Sequence, residues 1–197
     1  FNPQSPYAIS KVMSHQLTVN YRKSYNLFAV SGILFNHESP LRGEEFVTRK
    51  IILGLIKIIK NESKYFELGN LYSKRDWGYA KEYVEAMWSM MQQKKPKDYV
   101  IATGNTYTIK EFINLSTKYL GLETKWIGKN LNEKIINKKN NRLIIKINKK
   151  LFRPSDVNHL KGDAKKAIKE LKWQPKTSLK KLVKIMIDEE LKYFKSN

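Results

Sequence analysis

The chain has 197 residues, 41% of them hydrophobic, which is enough to bury a core and excludes an intrinsically disordered chain. It contains no cysteine, which excludes disulfides, thiolate catalysis and Cys-based zinc sites, and its three His have no metal-ligand spacing. The formal net charge is +20, but only six of the 38 basic residues are Arg and they form no cluster with aromatic residues. We therefore expect no nucleic-acid partner, since sequence readers of nucleic acid depend on Arg forks and aromatic platforms.

The longest apolar run, 51–59, is interrupted by Lys57 and is far too short to cross a bilayer. The sequence therefore predicts no membrane segment, and a cytoplasmic location is the default. The chain opens on Phe1 rather than Met and enters a helix at once. We expect it to be the C-terminal portion of a longer protein.

The first elements are predicted to be a helix over 6–25 and a buried strand over 27–35. Ser5 is placed to cap the helix and Pro6 to occupy its first position, whereas the strand is predicted from its apolar run after a turn at Asn26. A helix followed closely by an apolar strand is typical of a parallel-sheet unit. Residues 36–43 are predicted to be a loop at the carboxyl end of that strand, where open α/β sheets bind ligands.

The remaining pattern alternates helices and strands. Thr108 and Glu111 have the spacing of a capping box, and the polar, Lys-rich segment 129–141 is predicted to be a surface loop. Helices are predicted over 44–60, 78–93, 108–119, 163–171 and 178–194, and strands over 65–68, 99–102, 125–127 and 143–147. The fold class is therefore α/β, with a sheet that continues from something upstream.

Tyr7 and Lys11 lie four residues apart in the first helix and so share one face. Positive charge favours a phenolate, and a phenolate can take a proton from a sugar hydroxyl while a nicotinamide takes the hydride. In a chain with this many Lys, a surface pair without function remains the alternative.

The segment 2–11, with Pro3, Tyr7 and Lys11, resembles the active-site segment of the extended short-chain dehydrogenase/reductases. Further blocks narrow the resemblance to the GDP-mannose 4,6-dehydratase family. They are Gly32-Ile33-Leu34-Phe35-Asn36-His37-Glu38-Ser39-Pro40, Arg42-Gly43-Glu44, Phe46-Val47-Thr48-Arg49-Lys50-Ile51, Leu68-Gly69-Asn70, Arg75-Asp76-Trp77-Gly78, Val100-Ile101-Ala102-Thr103-Gly104 and Phe152-Arg153-Pro154.

This resemblance implies a role for each matching residue. Tyr7 would be the general base at the sugar C4 hydroxyl, and Lys11 would hold the nicotinamide ribose. His37 and Arg42 would contact NADP, although Leu41 stands where the family usually has a second Arg, so the choice of NADP over NAD stays open. The implied substrate contacts are Asn36, Lys50, Arg75, Arg153 and Asp156, where Asp156 replaces a Glu of the family. From the residues alone, an ordinary loop residue is the preferred interpretation of His37, and an N-cap or Arg partner that of Asp76. A solvated helix face explains Lys50 nearly as well as a nucleotide contact.

The implied fold is the C-terminal part of an extended Rossmann-like short-chain dehydrogenase/reductase fold, with a smaller α/β substrate-binding domain. Residues 1–43 would end the dinucleotide-binding domain and 44–197 would form mainly the substrate domain. Roughly 76–104 would return to the dinucleotide-binding domain.

The implied reaction converts GDP-mannose to GDP-4-keto-6-deoxymannose by NADP-dependent internal oxidation, loss of water and reduction. A Gly-rich phosphate turn and the family's Thr and Glu for the elimination do not occur in these 197 residues, so we expect the chain alone to be inactive. A related sugar-nucleotide epimerase or reductase, and a non-catalytic nucleotide-binding module, are the alternatives. The family also implies a homo-oligomer, a dimer or tetramer, with Met13 and Leu17 of the first helix as contacts; burial of that helix against the sheet is the other reading.

Overall fold

The computed structural model describes residues 1–152 and 157–196. In this part of the chain the helices are α1 (Pro6–Ser24), α2 (Val47–Ile59), α3 (Ala80–Met91), α4 (Ile109–Tyr119), α5 (Lys165–Leu171) and α6 (Leu179–Ser196). The strands are β1 (Gly32–Leu34), β2 (Asn36–Glu38), β3 (Phe66–Leu68), β4 (Lys74–Arg75), β5 (Trp77–Tyr79), β6 (Tyr99–Ile101), β7 (Tyr107–Thr108), β8 (Thr124–Ile127), β9 (Lys134–Asn137) and β10 (Leu143–Ile147). The α/β class predicted from the sequence is confirmed.

The chain forms two compact units. Unit 1 comprises Phe1–His37, Arg75–Thr106 and Ser155–Thr177, and unit 2 comprises Glu38–Lys74, Tyr107–Pro154 and Ser178–Asn197, with 153–156 and 197 left aside in both.

Unit 1 is built on the parallel pair β1–β6, in which Gly32 is opposite Tyr99 and Leu34 opposite Ile101. Helices α3 and α5 pack on β6 and bury a core that includes Tyr83, Met90 and Trp173. The rings of Tyr83 and Trp173 meet edge to face at 5.9 Å, and the Trp173 indole donates to the Glu82 carbonyl.

Helix α1 begins as predicted, with Pro6 in its first turn and the Ala8 amide donating to the Ser5 hydroxyl at 3.1 Å. At its other end Arg22 makes a two-pronged ion pair with Asp98, both N–O distances being 2.8 Å. This guanidinium holds the pKa of Asp98 below its ordinary value. No residue of α1 is fully buried in the described part of the chain, although one side of the helix, with Val12, His15 and Val19, is half-buried.

The predicted buried strand over 27–35 is wrong in length and burial. The strand is only Gly32–Leu34, and Ile33 is 42% exposed. Its ladder partner β6 starts at Tyr99, whose amide donates to the Ser31 carbonyl at 2.9 Å, and no strand of the described residues pairs with 27–30. Arg22 binds the Ala29 carbonyl and the Asp98 carboxylate accepts from the Ser31 amide, and these side chains satisfy the backbone in place of a ladder.

Unit 2 contains a four-stranded sheet in the order β3-β10-β9-β8. Strands β3 and β10 are parallel, with Phe66 opposite Ile145, whereas β10–β9 and β9–β8 are antiparallel. Helices α2, α4 and α6 pack on one another through buried side chains. The capping box at the start of α4 is confirmed, because the Glu111 amide donates to the Thr108 hydroxyl and the Thr108 amide to the Glu111 carboxylate.

The predicted surface loop over 129–141 is wrong. It contains a 3₁₀ turn at Asn130–Asn132 and then β9, which lies between β8 and β10 with Ile135 fully buried. Lys and Asn flank Ile135 and Ile136 and hide the strand signal, since only two of the four β9 residues are apolar. The loop predicted over 36–43 likewise starts as strand β2.

Candidate functional site

The amino-terminal part of α1 carries Tyr7 and Lys11 on one exposed face. The Lys11 Nζ lies 5.2 Å from the centroid of the Tyr7 ring, and Tyr7 is 71% exposed. Among the described residues neither the Tyr7 hydroxyl nor the Lys11 ammonium has a hydrogen-bond partner. The sequence spacing therefore does bring these two groups together, and both are accessible to an external molecule.

Asn36 and His37 follow the carboxyl end of β1. The Phe35 amide donates to the Ile101 carbonyl at 2.9 Å, which continues the β1–β6 pairing to this point. His37 Nδ1 lies 2.9 Å from the Phe35 carbonyl oxygen, and its ring packs on Tyr83 at 5.3 Å between centroids. Because a carbonyl oxygen only accepts, Nδ1 carries the proton, and Nε2 of the neutral ring is left as an acceptor.

Arg42 is engaged within unit 2. Its Nε lies 3.3 Å from a carboxylate oxygen of Glu38, and its guanidinium stacks 3.5 Å from the centroid of the Phe46 ring. Glu38 is only 2% exposed, and burial raises the pKa of its carboxyl although Thr48 donates to it at 2.6 Å and Arg42 lies beside it. Arg42 is therefore held in place by this chain's own side chains.

Lys50 lies on α2 near a charged network at the carboxyl ends of β3 and β10. Asn148 donates to Glu67 at 2.5 Å, and Lys146 pairs with the other oxygen at 3.0 Å. These two donors and the nearby positive charge of Lys50 lower the pKa of Glu67. The sequence analysis missed this network. The alternation of Lys146 and Asn148 along the predicted strand end was the one available signal.

Arg75 and Asp76 join separated segments of unit 1. Arg75 Nη1 donates to the Val157 carbonyl at 2.5 Å. Asp76 is fully buried, and its carboxylate accepts from the Thr103 hydroxyl and amide, from the Gly104 amide and from the Gly162 amide. Asp76 is not an N-cap, because Tyr79 occupies that position of α3.

The substrate contacts predicted at Arg153 and Asp156 lie outside the described residues. Within the described part of the chain, no group of three or more His, Asp or Glu could hold a metal ion. No helix there is both long and apolar enough to span a bilayer.

The arrangement of these elements is that of the epimerases and dehydratases of the short-chain dehydrogenase/reductase class. RMD from Pseudomonas aeruginosa complexed with NADPH superposes with a TM-score of 0.77 at 16% identity, covering 95% of this chain and 56% of that one. The dTDP-glucose 4,6-dehydratase from Bacillus anthracis in complex with NAD gives 0.78 at 18% identity, covering 99% and 55%. At these identities the likeness establishes the fold.

Sequence comparison then gives the family. The pattern of the GDP-mannose 4,6 dehydratase family matches residues 1–186, and the chain belongs to that family. It is 48% identical over 197 residues to GDP-mannose 4,6 dehydratase of Drosophila melanogaster and 51% identical to GDP-mannose 4,6 dehydratase 1 of Arabidopsis thaliana. All of this chain matches the first and 99% of it the second, but it spans only 50% and 49% of their lengths.

Proposed function

We propose that this chain supplies the sugar-oxidising Tyr and the nucleotide-sugar contacts of a GDP-mannose 4,6-dehydratase. The observation that carries the proposal is the accessible Tyr7–Lys11 pair on α1, in a chain that matches curated dehydratases from end to end. In this proposal unit 1 belongs to the dinucleotide-binding part and unit 2 to the substrate part.

NADP is the proposed cofactor, and it would serve as the recycled hydride carrier. The fit rests on unengaged donors, since the Tyr7 hydroxyl and the Lys11 ammonium are free to bind the nicotinamide ribose. His37 adds an acceptor at Nε2 that becomes a donor when the ring is protonated. Arg42 offers positive charge for phosphate, whereas Leu41 is 92% exposed and adds none, so the contact with an extra phosphate rests on Arg42.

As a phenolate, Tyr7 would take the proton of the sugar C4 hydroxyl. The Lys11 ammonium beside the ring would stabilise the negative charge of that phenolate. The planar guanidinium of Arg75 would bind the diphosphate through two hydrogen bonds. Lys50 and Asn36 would add contacts to the nucleotide. Asp76 would act through its neighbour Arg75, because its carboxylate bonds the Thr103 and Gly104 amides and so anchors the segment that carries Arg75. Arg153 and Asp156 remain proposed substrate contacts from the sequence alone.

The substrate proposal is tested by nucleotide binding. Calorimetric titration of the folded chain should show saturable GDP binding, stronger than UDP binding. Arg75→Gln should weaken GDP binding about tenfold, since it removes a charge-assisted contact. Lys95→Gln, an exposed change in the same unit, should not. Equal GDP and UDP affinities, or equal affinities in the two variants, would count against the proposal.

The catalytic proposal is tested in a chimera that joins this chain to the amino-terminal half of the Arabidopsis relative. With GDP-mannose and NADP⁺ we expect 4-keto-6-deoxy product, and Tyr7→Phe should lower kcat by about a hundredfold or more. Tyr21→Phe, on the same helix and 50% exposed, is the matched control. An epimerised or simply reduced sugar as product would point to a different member of the superfamily.

We also propose a homo-oligomer formed through α1. Met13 and Leu17 are 63% and 47% exposed and share one side of a helix with no buried residue. Sedimentation should show an oligomer that Leu17→Glu dissociates and that Thr18→Glu leaves intact. A monomer in the unmodified protein would rule the proposal out.

A further inference from the structure

A concave site lies in unit 2, at the amino-terminal edge of β3 and β10. It is a cavity of ≈ 810 Å³ between the end of α2, the segment that leads into β3, and the β9–β10 hairpin. Ile58, Leu122 and Leu143 contribute to an apolar wall, and most of its other lining residues are polar. This volume is within the range of small-molecule sites, which is about 300–1,000 Å³.

The charge of this cavity is entirely positive. Its charged lining residues are Lys64 and Arg142, and no Asp or Glu lines it among the residues that the structure describes. Neither side chain forms an ion pair within the described part of the chain, whereas Lys139 on the same hairpin is paired with Glu123 at 3.2 Å. The two cations are therefore available to a ligand.

The strand register places both cations at the same edge of the sheet. Since Phe66 is opposite Ile145 in the parallel β3–β10 pair, Lys64 and Arg142 both precede the ladder. The Glu67–Asn148 network lies at the other end of the same pair. Strand β3 has three residues and so spans about 10 Å.

The end of α2 decides where a negative group would sit. Helix C-termini carry partial negative charge, so the α2 wall disfavours an anion. The last carbonyls of α2 already accept hydrogen bonds from amides of the chain, including Ile56 from Lys60 and Ile58 from Asn61. They therefore need no hydrogen-bond donor from a ligand. An anion is favoured on the side of Arg142 and Lys64.

We propose that this cavity binds a small amphipathic anion, an apolar body that carries one carboxylate, phosphate or sulfonate group. The apolar body would lie against Ile58, Leu122 and Leu143, and the anionic group would meet the Arg142 fork and the Lys64 ammonium. A neutral apolar molecule would leave both cations unused, and an inorganic anion would leave the apolar wall uncovered.

The test uses 8-anilinonaphthalene-1-sulfonate, a fluorescent aromatic sulfonate, with the 197-residue protein. Three variants are compared: Arg142→Gln, the double variant Arg142→Gln/Lys64→Gln, and Lys138→Gln, an exposed control on the same hairpin that does not line the cavity. We expect saturable binding in the unmodified protein and in Lys138→Gln. Binding should be about tenfold weaker in Arg142→Gln and weaker still in the double variant.

Competitors test separately whether the ligand needs its anionic group and its apolar body. Octanoate should displace the probe, whereas inorganic phosphate and neutral octanol should do so poorly at equal concentration. Fluorescence that does not saturate, or that is the same in all variants, would place the probe on other apolar surface such as α1 and would overturn the proposal. Equal displacement by inorganic phosphate or by octanol would also overturn it, because a single half of the ligand would then suffice.

Discussion

Asp76 shows how one buried carboxylate organises the loops around Arg75. It is fully buried and accepts hydrogen bonds from three backbone amides and one hydroxyl. In Asp76→Asn one oxygen becomes an amide donor facing other donors, so we expect a loss of about 2–3 kcal/mol in the free energy of unfolding. Urea denaturation followed by circular dichroism measures it.

The matched control for that prediction is Asp163→Asn. Asp163 is an exposed carboxylate whose Oδ1 accepts from the Lys165 amide, a bond that Asn keeps. Its effect should stay within about 0.5 kcal/mol. If the two variants lost equal stability, the four bonds to Asp76 would not be the cause.

Tyr99 is expected to lower the free energy of unfolding of the chain at alkaline pH. Its hydroxyl donates to Glu170 at 2.9 Å, and burial together with this carboxylate raises the pKa of Tyr99 to about 12. A phenol whose folded pKa is raised contributes stability that is present below its unfolded pKa of about 10 and is lost as the pH rises through about 12. The stability difference between the unmodified chain and Tyr99→Phe should therefore shrink between these two pH values.

Thermal unfolding of both proteins across this pH range checks the Tyr99 prediction, with Tyr21→Phe as the control for an exposed phenol. The control should follow the unmodified chain at every pH. A difference for Tyr99→Phe that stays constant with pH would contradict the assignment.

The contacts of the candidate site that the sequence predicted and those that it missed differ in sequence separation. Tyr7 and Lys11 are neighbours because of helix spacing, which a sequence displays directly. The donors to Asp76 are 27 and more residues away, and Glu67 and Asn148 are separated by 81. Partners at that distance are set by the tertiary fold, so the sequence does not show which residues meet.

Helix ends were easier to predict than strands, for a comparable physical reason. The caps at Ser5 and Thr108 depend on residues three apart, and both form as expected. A strand needs a neighbour in the sheet. The strand predicted over 27–35 is therefore shorter in the structure, and β9 forms between two strands where a loop was predicted. The two apolar residues at 135 and 136 indicate this strand better than the Lys around them indicate a loop.

Strand β9 is therefore the element whose importance the composition hides. Ile135 is fully buried between two antiparallel neighbours, so Ile135→Ala should cost about 2–5 kcal/mol in the free energy of unfolding. Lys134→Ala in the same strand, where the side chain is exposed, should change it by less than about 0.5 kcal/mol. Urea denaturation compares them, and a small loss in Ile135→Ala would mean that this region is a loop after all.

At the scale of the whole molecule, the family and the α/β fold follow from the sequence pattern, whereas the net charge of +20 taken by itself suggests a nucleic-acid partner, which the sequence analysis does not expect. The excess of basic residues consists mainly of Lys, and some of these Lys pair with acidic neighbours, as in Lys184–Asp188 and Lys192–Glu189, while the net charge of +20 is what is left over. A diffuse field of this kind attracts any polyanion without recognising it.

We therefore expect binding to duplex DNA to be non-specific and to depend on salt alone. Fluorescence anisotropy should show that DNA binding weakens steeply with salt and becomes negligible by about 0.2 M. The reason is that such binding is driven by the release of counterions at each Lys–phosphate contact, which added salt opposes. Poly-glutamate, a polyanion without bases or sugars, should compete as well as unlabelled DNA of equal charge, and two unrelated DNA sequences should bind alike. GDP binding, which depends on the Arg75 fork in the proposed site, should persist at the higher salt. DNA binding that survives there, or that discriminates between the two sequences, would show that the basic residues form a nucleic-acid site after all.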